Sequence, residues 1–256
     1  MERRGLKIAL ASAVAGWLLA GCAAQEGNGP QGSMSAEERL RLAAAAEASG
    51  DRDMAVSMYA SAASEAPGNT PTQLRCAEGL ARNGKIEDAA ALLARRLKNA
   101  PHDPEVLETL GAIQVLAGQP AHAVQTLSQV LVAKPDDVKA LANKAIALDV
   151  LRRHDEAQRL YRQALVVVPG DAAISNDLAL SLMLSGKAEE ARQVLSPFRD
   201  VEGLPERMRV NLGILDAADG RSDEARQLLG THIGAADLAT LTQAIGKGSG
   251  TEADQP

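Results

Sequence analysis

Small and apolar residues recur along the chain on a grid of 34 residues. In windows 36–69, 70–103, 104–137, 138–171, 172–205 and 206–239, position 8 is always small (Ala43, Ala77, Gly111, Ala145, Ala179, Gly213). Position 20 is always alanine (Ala55, Ala89, Ala123, Ala157, Ala191, Ala225), and position 24 is always large (Tyr59, Leu93, Leu127, Tyr161, Leu195, Leu229). Position 7 is mostly apolar, through Leu42, Cys76, Leu110, Leu178 and Leu212. Small residues at positions 8 and 20 predict two helices that cross closely within each window. Position 15 is glycine at Gly50, Gly84, Gly118, Gly186 and Gly220, with Arg152 on the remaining grid point. Glycine there suits the end of a first helix, where it adopts a left-handed backbone without steric cost. Pro67, Pro101, Pro135 and Pro169 at position 32 end the second helix, because proline has no amide to donate. Asp103-Pro104-Glu105 reads as an N-cap, a first-turn proline and an acid matched to the helix dipole. Ser35-Ala36-Glu37-Glu38 has the spacing of a capping box.

A fixed period in this range marks stacked units, and six exceed the roughly three that an array needs to be stable. Such an array works through an extended surface, so binding is expected and catalysis is not. Aromatic residues make up only 2% of the chain (Trp17, Tyr59, Tyr161, Phe198), so the core must be packed from alanine, leucine and valine.

These columns resemble the tetratricopeptide repeat, over 204 of 256 residues. The resemblance implies an all-α fold: an α–α superhelix, or TPR solenoid, of about six helix–turn–helix repeats over 36–239. Position 4 is never aromatic, as it is in the family. The fifth window lacks its closing proline and has Pro197 and Pro205 instead, so an irregular junction is expected before the sixth. Leu238, Leu241 and Ile245 stand at helical spacing and predict a capping helix over 237–246. The polar, glycine-rich tail 247–256 is expected to be disordered.

The first 21 residues have a different character. Arg3, Arg4 and Lys7 precede the 12-residue apolar run Ile8–Leu19, which is too short for a span of about 20 residues and reads as a secretory signal. It ends in Leu19-Ala20-Gly21-Cys22, which resembles the bacterial lipobox; the alternative is an ordinary signal with a chance cysteine. The resemblance implies cleavage before Cys22, lipid on its sulfur and a membrane anchor. Ala23 and Ala24 follow in place of an inner-membrane retention aspartate, so the expected location is the outer membrane, facing the periplasm. Residues 22–35 form the lipidated cysteine and a flexible tether whose ends stand roughly 20 Å apart on average.

The chain carries a formal charge of −6, and removing a signal of net +2 leaves −8. An acidic protein of this kind has no evident use for nucleic acid. Gly27-x-Gly29-x-x-Gly32 matches a dinucleotide fingerprint as text but lacks the strand and helix that motif needs, and Pro30 lies inside it. His154-Asp155-Glu156 has no Pro-Cys-x-x-Cys after it. The histidines fall at unrelated repeat positions and are read as surface residues. Cys76 lies in a core column and reads as a small buried hydrophobe. No catalytic residue, metal site, cofactor or small-molecule substrate is expected.

The family resemblance places positions 2, 5, 6, 9, 12 and 13 of the first helices on the concave face. The candidate partner groove is therefore Leu74, Ala112, Val115, Leu116, Asn143, Ile146, Val150, Asn176, Leu180, Met183, Asn211 and Ile214. A carboxylate clamp would need a basic cluster, which Lys139, Asn143 and Arg207 do not make. An apolar groove with scattered amides suits an amphipathic helix or an extended apolar peptide, with the asparagines contacting its backbone. Packing against the next repeat is the competing reading for Leu180, Met183 and Ile214, and local capping for the asparagines.

The run from Asn176 to Lys187, followed by Arg209-Val210-Asn211-Leu212, is similar to the tight-adherence (Flp) pilus assembly lipoproteins of the TadD type. These are lipidated repeat proteins that assist the outer-membrane secretin, much as pilotins do. The resemblance implies a secretin or another pilus or secretion component as protein partner. The alternative is a periplasmic adaptor for cell-envelope synthesis or outer-membrane protein assembly.

Overall fold

The computed structural model describes residues 34–229, and the described residues hold twelve α-helices, one 3-10 turn and no strand. Their order is α1 (Ala36–Ser49), α2 (Arg52–Glu65), α3 (Thr70–Arg82), α4 (Ile86–Leu97), α5 (Pro104–Leu116) and α6 (Pro120–Ala133). There follow α7 (Val138–Val150), α8 (His154–Val167), α9 (Ala172–Leu184), α10 (Ala188–Leu195), the 3-10 turn Ser196–Phe198, α11 (Glu206–Ala218) and α12 (Ser222–Leu229). Each window contributes one antiparallel pair, which packs on the pair before and after it. The leader, Cys22, the expected capping helix and the tail lie outside the described residues.

Local chemistry sets the helix ends. Ser35 and Glu38 form the expected capping box, with the Ser35 amide donating to Glu38 Oε2 at 2.8 Å. Asn69, Asp103, Asp137 and Asp171 each accept a first-turn amide of the following first helix. Most second helices lack such a cap. Lys85, Gln119, Arg153 and Lys187 stand at N-cap positions without a side-chain bond. In α4, α8 and α10, acids in the first turn compensate by meeting the positive end of the helix dipole.

All six position-20 alanines are completely buried. At position 8, a Cβ added to Gly111 would lie 2.5 Å from Leu127 Cγ, and one on Gly213 would lie 2.6 Å from Leu229 Cγ. The small residue therefore leaves room for the large residue at position 24 of its own repeat. The five position-15 glycines have φ between 67° and 82°, and Arg152 takes the same left-handed backbone at φ 59°. The turn demands that conformation whichever residue occupies it.

The junction after the fifth repeat is irregular, as expected. Helix α10 stops at Leu195, and Pro197 leads a 3-10 turn that frees Arg199. Arg199 grips the fully buried Asp216 of α11 through both terminal guanidinium nitrogens, Nη2 at 2.5 Å and Nη1 at 2.9 Å. Arg221 bonds the same carboxylate at 2.6 Å from the start of the next helix. Burial pushes the Asp216 carboxyl up, but the hydrogen bonds from Arg199 and Arg221 outweigh this and hold it below the usual range.

Cys76 is fully buried, and burial pushes its thiol up to about 11. It stays protonated and inert at neutral pH, a core residue as its column predicts.

Candidate protein-binding groove

Successive first helices pack directly on one another, whereas successive second helices spread apart. The first helices therefore form the inner, concave side of the stack. On that side position 13 reads Leu116, Val150 and Leu184 in three consecutive repeats, with exposures of 63%, 57% and 58%. Leu180, one helical turn before Leu184, is 41% exposed. Together these four make an apolar strip across α5, α7 and α9 that no described part of the fold covers.

The predicted groove residues divide into three groups. Leu116, Val150 and Leu180 are displayed. Leu74, Ala112, Val115, Asn143 and Ile146 are half-buried, and Leu74, Val115 and Ile146 pack partly on the core. Asn176, Met183, Asn211 and Ile214 are buried, which corrects their placement on an open surface. Met183 and Ile214 belong to the core cluster of the last three repeats. The Asn211 side-chain amide donates to Asn176 Oδ1 at 2.8 Å, so the two asparagines satisfy each other between α9 and α11 rather than lining the groove.

Charge in the groove is mostly negative. Glu108 is half-buried, and burial pushes its carboxyl up against the pull of Lys139 at 3.6 Å. Asp177, on the turn of α9 before Leu180, is half-buried and makes no ion pair among the described residues. Burial pushes its carboxyl up, and Asp149 and Asp171 push the same way. Asn176 and Arg207 lower it without reversing the shift. The acid was present in the sequence, but its lack of an ion pair became visible only with the neighbouring helices in place.

His154 is largely buried rather than a surface residue. Its Nδ1 lies 2.8 Å from Asp149 Oδ1, the oxygen to which Ser181 Oγ also donates at 2.6 Å. The three side chains have the composition of a hydrolytic triad but not its connectivity. Both Ser181 and His154 address one carboxylate oxygen, so no base stands beside the serine hydroxyl. Among the described residues no group of His, Cys, Asp and Glu could hold a metal ion, and no helix is long and apolar enough to cross a membrane.

The outer side carries a cleft of about 690 Å³ between α2 and α4. Ala63, which lines it, stands where the next three repeats have the larger Leu97, Leu131 and Leu165. Its lining mixes small apolar residues such as Ala60, Ala63 and Ala91 with polar ones, Asp88 and Arg95 among them.

Three tetratricopeptide repeat family models match the chain, one at residues 46–113 and 80–148, another at 142–197 and a third at 207–231. With the paired helices in register over well more than half its length, this chain belongs to the tetratricopeptide repeat family. The uncharacterised protein y4yS of Sinorhizobium fredii is 44% identical over 68 residues, which is 27% of this chain and 37% of that protein. The chain thus spans little more than a third of that relative's length. A tetratricopeptide repeat protein from Parabacteroides merdae shares the fold at a TM-score of 0.67 and 18% identity, over 85% of this chain and 87% of the other. PilW, described as a widely conserved type IV pilus biogenesis factor, aligns at 0.64 and 19%, over 75% and 90%. The pilF protein of Pseudomonas aeruginosa aligns at 0.63 and 15%, over 81% and 96%. At these identities the likenesses concern the fold.

Proposed function

We propose that this protein is a lipid-anchored outer-membrane scaffold that helps a pilus or secretion component, a secretin in the tight-adherence pilus, to assemble or localise. A tetratricopeptide repeat array is a scaffold for protein–protein interaction. The observation that carries the reading is the uncovered strip Leu116, Val150, Leu180 and Leu184 on the concave side. Contiguous apolar surface of this kind, on an otherwise charged protein, marks an interaction site. The lipobox around Cys22 supports the anchor, and the fold shared with PilW and pilF supports the pilus setting.

The test is co-purification of the secretin with full-length wild-type protein and with Leu184→Glu. Leu184 is exposed, so the charge leaves the fold intact while it places an unpaired ion against an apolar partner surface. Ile146→Glu is less informative, because Ile146 packs partly on the core. The expected result is loss of the secretin with unchanged helical circular dichroism. Undiminished capture by the helical variant would overturn the proposal.

A further inference from the structure

The groove has a preferred partner charge. Along α9, Asp177, Leu180 and Leu184 stand at intervals of three and four residues, on one stripe of the helix. Asp177 lies seven residues from Leu184, about 10 Å along the axis at the 1.5 Å helical rise. The groups around the Asp177 carboxylate are Asp149 on α7, Asp171 at the start of α9, Asn176 beside it, Tyr161 on α8 and Arg207 on α11. Arg207 is exposed and makes no ion pair with Asp177. Elsewhere on this side Lys139 is engaged with Glu108 and Arg82 with Glu47, while Glu78 and Glu105 are exposed and make no ion pair among the described residues. The free charge facing the groove is therefore mainly carboxylate. A half-buried carboxylate without an ion-paired cation is a standing electrostatic cost in the unbound protein, which an incoming cation at contact distance would relieve.

Resting on the groove reading above, we propose that the strip over α7 and α9 takes a partner segment with apolar side chains on Val150, Leu180 and Leu184 and a lysine or arginine about 10 Å away, facing Asp177. In a helical partner that spacing is seven residues; in an extended one it is about three, at roughly 3.3 Å per residue. Such a site selects the opposite of a carboxylate-terminal peptide, because an acidic segment would meet Asp177 without compensation.

The probes are three synthetic amphipathic helices with the same leucine seam, differing only in whether Lys, Gln or Glu stands seven residues from the anchoring leucine. Their affinities for the detergent-solubilised full-length protein are read by fluorescence anisotropy at moderate salt. The expected order is Lys tighter than Gln by about tenfold, which is 1.4 kcal/mol, and Gln tighter than Glu. Asp177→Asn should remove most of the Lys-over-Gln preference, whereas Asp88→Asn on the outer face should keep it and so exclude general attraction to an acidic protein. Equal affinities, or a preference that survives Asp177→Asn, would overturn the inference. If the Gln peptide binds and Leu184→Glu abolishes it with no charge preference, the groove reading stands and this inference falls. If no peptide binds, or Leu184→Glu changes nothing, both fall.

Discussion

The ring of Tyr59 occupies the space that a side chain on Gly79 would need, so a residue of one repeat is fitted to a missing Cβ in the next. The Tyr59 hydroxyl donates to Glu47 Oε2 at 2.8 Å, and Arg82 bonds the same carboxylate. The fourth repeat uses the same parts, with Tyr161, Asp149 at position 12, and Ser181 at the position equivalent to Gly79. Where position 24 is leucine, position 12 is apolar instead: Ala81, Val115, Met183 and Ala217. A phenol at position 24 needs an acceptor one helix away and a small residue above it, and both follow it through the sequence.

Gly79→Ala should therefore destabilise the array by about 1–3 kcal/mol through overpacking against a ring held by its hydrogen bond. Combining it with Tyr59→Leu should lose less than the two single changes together, with a coupling of at least about 0.5 kcal/mol. Urea denaturation of the four proteins in the cycle measures this. Strict additivity would show that ring and glycine are not fitted to each other.

Arg152→Gly should stabilise the protein. A left-handed backbone costs an ordinary L-residue about 1–2 kcal/mol, and glycine's greater freedom in the unfolded chain takes back part of the gain. The expected net is on the order of 0.5–1 kcal/mol, read as a rise in Tm. Among the described residues the Arg152 side chain makes no hydrogen bond or ion pair that the change would lose.

The architecture was legible because helix crossings admit only small residues, and six consecutive crossings repeat that demand at one spacing. The irregular junction was legible from a displaced proline. What was not legible depends on neighbours. Asn176 and Asn211 hold positions 5 and 6 of adjacent first helices, and those helices pack directly enough for the amides to meet. Position faces predict direction, not whether the adjacent repeat covers it, so Met183 and Ile214 follow the competing packing reading while Leu184 belongs in the strip. One further signal was available in the sequence itself. Asp216 stands in position 11, where Leu80, Leu148 and Leu182 stand in other repeats, and an acid in that column implies buried cations.

Asp216→Asn should cost roughly 3 kcal/mol at neutral pH. That is the low end for breaking a buried ion pair, because Arg199 and Arg221 keep contact with water. The sign with pH follows from the lowered carboxyl. Its contribution is complete above the unfolded value of about 3.9 and is lost as pH falls through the lower folded value. Urea midpoints of wild type and variant should differ most between pH 5 and 7 and converge as pH falls through the lowered folded value. A difference that persists undiminished into acid would exclude the carboxylate as its source.

Cys22→Ser should release the protein from the membrane fraction or leave it as unprocessed precursor. Each buried methylene contributes about 0.8 kcal/mol, and two or more acyl chains hold a protein where one does not. Fractionation with antibody detection reads the outcome. A processed Cys22→Ser protein still in the outer membrane would show that the anchor lies elsewhere.

Asp177→Asn separates stability from binding. Burial raises the Asp177 carboxyl, so the folded state disfavours its charged form. The resulting penalty is absent below the unfolded value of about 3.9, grows as pH rises from there to the higher folded value, and is complete above it. Removing the charge should therefore raise the urea midpoint at pH 7, with the gain disappearing by about pH 3, where the wild-type carboxyl is neutral as well. The same substitution should weaken the lysine-bearing peptide. A residue kept only for the fold would lose stability on substitution, whereas Asp177 should gain it and lose partner affinity. A lowered midpoint at pH 7 would assign Asp177 to the fold and leave the groove without its charge.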